Sequence, residues 1–113
     1  MKISKNNAEH YIWGDNSDGW HLVKNQNLSV IHERMPANTS ESNHYHKEAH
    51  QFFFVLSGIA TIMVNGKEIT LNPQEGVEVP PLVPHKMCNK SNNEVEFMLI
   101  SQPSSKGDRF LVD

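Results

Sequence analysis

The residues best equipped for chemistry are three histidines. His44 and His46 are separated by one residue, and His85 follows later in the chain. Alternate side chains on a strand share one face, so His44 and His46 point the same way. Two imidazoles placed like this can grip one divalent ion from a single rigid segment. His85, brought in from elsewhere in the fold, would complete a facial set. Neutral imidazole suits zinc, copper, iron and nickel. Three such ligands leave positions for water or substrate, which separates a working site from a closed structural one.

Strand alternation sorts the neighbours. Phe53 and Val55 share the face of Gln51, and Met87 shares that of His85, so these three are expected to line a pocket. Apolar walls with a few polar groups suit a small molecule. His50 faces away from Gln51 on a continuous strand, although a bulge would swap the two. Cys88 falls on the face opposite His85 and reads as a buried structural thiol. Glu48 is a candidate general acid or base beside the metal; the competing reading is a solvated loop charge. Tyr45 alternates away from both histidines, and His10, His21 and His32 fit no ligand spacing. Trp13 and Trp20 flank a turn rich in Asp, Asn and Gly. That segment suits a stacking platform for a sugar or aromatic ligand, or packing of an N-terminal strand or dimer contact. The second is preferred. The sequence contains no Gly-x-Ser-x-Gly elbow and no phosphate-cradling Gly-rich loop.

The elements that must hold these residues read as strands. Apolar and β-branched runs cover 28–35, 51–56, 59–64, 67–71, 77–79, 85–89 and 95–101. Asn65-Gly66 between two of them predicts a type I′ hairpin, because both residues tolerate positive φ. The polar stretch 36–43 reads as a loop leading into His44. Residues 1–8 and 103–113 look loosely tied. No segment has sustained helical periodicity, so the chain reads as all-β, a sandwich or barrel.

Composition narrows the function classes. The 113 residues fit one domain spanning 1–113, with 10 basic and 13 acidic residues and a net charge of −3. No basic run points to nucleic acid. No stretch reaches membrane-spanning length, and the N-terminus lacks an apolar signal core. The single Cys88 excludes an internal disulfide. A cytoplasmic protein is the default expectation.

Both histidine segments, in order and joined by the hairpin, resemble the motifs of a small single-domain cupin. The first motif runs Gly, five residues, His-x-His, three or four residues, Glu, six residues, Gly. His44, His46 and Gly58 match it. Gln51 stands at the Glu position, and Asn38 at the opening Gly, a position Asn tolerates because it also visits αL. In the second motif Pro80, His85 and Asn89 match; Leu82 occupies the inner Gly position, and Gly76 lies four residues before Pro80 instead of six. The resemblance covers about 28–101. It implies a double-stranded β-helix, or jelly-roll, barrel holding one divalent transition metal (Zn, Ni, Fe or Mn) on His44, His46 and His85. Gln51 would be a fourth, weaker ligand. A neutral amide leaves the ion its full charge, which should raise Lewis acidity and weaken retention. The implied function is a dioxygenase- or isomerase-like metalloenzyme acting on a small polar molecule. The alternative is a non-catalytic module that binds or senses a metal or small ligand such as a sugar. A homodimer is also expected. Jelly rolls have open edges, and Phe52, Phe54 and Leu56 suit packing against a second sheet or a two-fold mate.

Overall fold

The computed structural model describes residues 1–112. The chain runs through β1 (Glu9–Trp13), β2 (Ser17–Lys24), β3 (Ser29–Met35), β4 (Thr39–Ser40), β5 (His44–Tyr45) and β6 (His50–Ser57). It continues through β7 (Ala60–Val64), β8 (Lys67–Leu71), β9 (Gly76–Val79), β10 (His85–Asn89), β11 (Val95–Gln102) and β12 (Phe110–Leu111). Two antiparallel sheets result. One has the order β1-β2-β3-β11-β6-β9, and the other the order β12-β5-β10-β7-β8, with β4 also pairing with β10. No helix among the described residues is long and apolar enough to cross a membrane.

The expected strands from residue 28 to 101 form within a residue or two of their anticipated ends. Alternation then builds the core. Met35, Phe53, Val55, Ile62, Met87 and Phe97 face inward from both sheets and are almost wholly buried. Asn65 and Gly66 both take positive φ, and Val64 pairs with Lys67, which gives the two-residue hairpin. Gly58 has φ +80, and an added Cβ would lie 2.6 Å from the Glu94 carbonyl oxygen, so only glycine fits where β6 leaves its sheet.

One alternative falls and one expectation is corrected. The segment around Trp13 and Trp20 is a β-hairpin that extends the first sheet by two strands, and its tryptophans diverge. Trp13 pairs with Ser17 on the inner face, whereas Trp20 pairs with His10 and His32 on the outer face. They do not form one platform. The tail beyond 103 is also not loose. β12 pairs with β5, and the Val112 N–H donates to the Asn43 carbonyl at 3.0 Å. A two-residue strand has little intrinsic pattern, so β12 did not stand out from sequence.

Candidate metal centre

β5 and β10 lie side by side, with His44 directly opposite His85. His46 follows β5 and turns inward beside them. The three ring centroids are 4.5 to 5.3 Å apart, and one nitrogen from each ring lies within 4.8 Å of the others. None of the three histidines is more than 4% exposed.

Each imidazole is aimed from behind. His44 Nδ1 lies 2.8 Å from the Ser42 carbonyl oxygen and His85 Nδ1 3.0 Å from that of Val83, while His46 Nδ1 meets the Asp108 carbonyl oxygen. A carbonyl only accepts, so every Nδ1 carries its proton and donates it. Each Nε2 then presents a lone pair to the common centre, the arrangement that metal-ligating histidines adopt. Burial pushes the His44 pKa down to about 4 and lowers that of His85. Both rings are therefore neutral near pH 7 and able to coordinate.

Gln51 completes the centre. Its Nε2 donates to Ser101 Oγ at 2.9 Å, and its Oε1 lies 3.0 Å from His85 Nε2. Both of those facing atoms are lone-pair donors when His85 is neutral. Two acceptors at this distance repel unless a cation lies between them. His46 Nε2 is likewise buried without a hydrogen-bond partner. These orphaned lone pairs fit a metal ion with three imidazole ligands and one amide oxygen.

Local backbone geometry holds the set in place. Asp108 accepts from the N–H groups of Lys47 at 2.8 Å and of Glu48 and Ala49 at 3.0 Å. Burial acts against ionisation of this carboxyl, but the three N–H groups outweigh it and hold the pKa below the usual range. The Leu82 N–H donates to the His46 carbonyl at 2.6 Å, with Leu82 at φ +71. The leucine thus keeps the left-handed backbone of the glycine it replaces. Asn38, at the other replaced glycine, has φ +59.

The centre opens into a cavity of about 730 Å³, within the range of small-molecule sites. Phe53 lines it as expected. Val55 and Met87 do not, which corrects their placement: they share the inward face but lie deeper, in the sealed core. Glu48 is exposed and outside the cavity wall, its backbone N–H turned to Asp108. His50 points outward and pairs with Glu78 at 2.7 Å. Cys88 lies 3.4 Å from Ser40 Oγ, away from the imidazoles.

Among the cavity residues that were not anticipated are Tyr11, Glu33, Glu41 and Arg109. Tyr11 O–H donates to Glu33 Oε2 at 2.8 Å. Burial raises the Tyr11 pKa, and it pushes Glu33 up to about 8 despite the tyrosine hydrogen bond. Burial also pushes Glu41 up to about 7, moderated by the Met87 N–H and by Arg109. The Arg109 guanidinium lies 3.5 Å from His44 Nδ1. Its charge disfavours protonation of His44 and adds positive potential to the cavity.

Fold and centre together define a small antiparallel jelly-roll barrel with an open three-histidine site. The Cupin domain profile matches residues 31–101, more than half of the sequence, and the chain belongs to that family. No functionally curated protein matches the sequence. Solved structures share the fold at low identity. KdgF from Halomonas sp. superposes with a TM-score of 0.85 at 11% identity, covering 95% of this chain and 98% of its own. A predicted oxalate decarboxylase from Thermotoga maritima gives 0.83 at 16%, covering 92% and 100%. A cupin-superfamily sugar phosphate isomerase from Silicibacter pomeroyi gives 0.79 at 18%, covering 92% and 76%.

Proposed function

We propose that this protein is a metal-dependent enzyme acting on a small polar molecule held in the barrel cavity. His44, His46 and His85 would carry one divalent transition metal, with Gln51 as a weaker fourth ligand. The observation that carries the reading is the convergence of three backbone-anchored imidazoles, each with Nδ1 spent on a carbonyl, around the Gln51 oxygen. Without an ion this leaves buried lone pairs facing one another. The ion would act as a Lewis acid, uncompensated by any ligand carboxylate. Two carboxyls in the same cavity, the buried Glu33 and the half-buried Glu41, favour an enzyme over a passive binding module, because they can exchange protons near neutral pH.

Metal analysis and competitive chelation test the site. The wild-type protein should hold one ion per chain. His46→Ala should abolish stoichiometric metal while the apolar core keeps the barrel folded. Gln51→Glu should tighten binding by supplying an anionic ligand. Retention of one tightly bound ion by His46→Ala would reject the assignment.

We further propose a homodimer. Phe52 and Phe54 stack on the outer face of the first sheet, with centroids 6.1 Å apart, and Phe52 is 38% exposed. They do not meet the second sheet, so a two-fold mate is the remaining way to bury them. Light scattering at high micromolar concentration should give twice the chain mass.

A further inference from the structure

We propose that Glu41 is the proton-transferring residue of the cavity, acting on a small hydroxy-aldehyde or hydroxy-ketone whose carbonyl oxygen faces the three histidines. This rests on the metal-site reading above and adds a substrate class and a catalytic residue to it. Glu41 sits opposite Met87: its N–H donates to the Met87 carbonyl at 3.1 Å, and its Oε2 accepts the Met87 N–H at 2.8 Å. Met87 is the next inward-facing residue after His85 on β10, and His85 pairs with His44. One same-face step along a strand is about 6.6 Å. The carboxyl therefore lies about one such step from the imidazole cluster, a gap that a carbonyl and its neighbouring carbon can bridge.

The carboxyl is also set up to move a proton. Oε2 is fixed by the backbone, while Oε1 makes no hydrogen bond to a described residue, and Glu41 lines the cavity. Glu33 shares this wall of the cavity and is held by Tyr11, whose ring occupies the space a side chain at Gly19 would fill. The two carboxyls disfavour joint ionisation. Arg109 offsets part of that repulsion and leaves Glu41 able to ionise first. A group that titrates close to neutrality can both take and return a proton.

The step balances without an oxidant or reductant. Glu41 Oε1 takes the proton from the hydroxyl-bearing carbon beside the carbonyl. The C–H electron pair forms a carbon–carbon double bond, and the carbonyl π pair moves onto oxygen as negative charge. The hydroxyl proton passes between the two oxygens. Return of the carbon proton to the former carbonyl carbon then completes an aldose–ketose exchange. Arg109 places fixed positive charge near the developing oxyanion, and a bound ion would supply further Lewis-acid stabilisation.

The test is exchange of the carbon-bound protons of dihydroxyacetone in D2O, followed by proton NMR with the zinc-loaded protein. Wild type should catalyse exchange, at a rate that rises with pH through about 7. Glu41→Gln keeps an acceptor for the Met87 N–H, so it should fold and hold zinc normally. It should exchange at least about 100-fold more slowly and lose that pH limb. A carboxyl carbon resonance titrating near neutrality should disappear in the same variant. Wild-type exchange rates in Glu41→Gln would overturn the proposal. So would a zinc-loaded wild type that exchanges neither dihydroxyacetone nor glyceraldehyde. Zinc retained by His46→Ala would instead overturn the metal site and leave the Glu41 comparison standing.

Discussion

The cavity has two unlike walls. On one, from β5, the residue that follows it, and β10, three imidazoles are buried, each steered by a backbone carbonyl. On the other, from β1, β3 and the segment leading into β5, Glu33 is buried, Tyr11 and Glu41 are half-buried, and all three are biased toward their protonated forms. Burial disfavours charge on both walls, yet the consequences are opposite. A neutral imidazole offers a lone pair and invites a cation. A neutral carboxyl offers a proton. The same desolvation thus yields a place for an electrophile on one side and a proton source on the other.

The largest effect on that contrast is expected from the carboxyl wall. The folded pKa of Glu33 is about 8, against an unfolded value of about 4.3. Between those values the unfolded chain releases a proton that the folded chain keeps. Stability therefore falls as pH rises through this window, and the loss is complete above the folded pKa. Glu33→Gln removes the titration and still accepts from Tyr11. Urea unfolding at pH 8 should show it more stable than wild type by about 4 to 5 kcal/mol, with the gain vanishing toward pH 4. An unchanged pH dependence would mean that Glu33 ionises freely and that the two walls are less distinct than described.

The imidazole wall should respond next. Asp108→Ala removes the acceptor for three N–H groups in the turn after His46 and frees the segment whose carbonyl steers that ring. Loss of an outer partner of this kind lowers metal affinity by roughly 10- to 100-fold. Competitive chelation measures this, and Asp108→Asn should fall between the two. The smallest effect concerns the backbone under that wall. Leu82 is 64% exposed and has positive φ. Leu82→Gly should stabilise the fold by about 1 kcal/mol in denaturant titration and leave metal binding intact.

Much of the imidazole wall was legible in the sequence because its signals are local. The pair His44 and His46, the face shared by Gln51 and Phe53, and the Asn65-Gly66 turn each follow from spacing within a few residues. Asn38 and Leu82 carried a subtler signal, since each stands at a glycine position and keeps the left-handed backbone. The carboxyl wall was not legible. Glu33 alternates with Ile31 and Met35, which was the available clue, but Val30 and His32 give the other face of β3 almost the same character. Parity alone did not choose between them. Glu41 lies in a polar stretch with no period at all. Val55 and Met87 show the complementary limit. Alternation gives the face of a strand but not the depth along it, so residues expected at the cavity proved to be sealed beneath it.

The bond between His46 and Asp108 also sets an order of events in time. Sixty-two residues separate the two partners. A chain growing at 5–20 residues per second needs about 3 to 12 s to cover that interval. Throughout it His46 lacks its steering carbonyl, although His44 already has that of Ser42 and His85 arrives before Asp108, so an ion would be held loosely and exchanged. Only when Asp108 emerges and folds back does the second imidazole acquire its fixed aim. Whichever ion is resident would therefore be chosen late, from what surrounds a nearly complete chain, and not from what the first two histidines happened to meet.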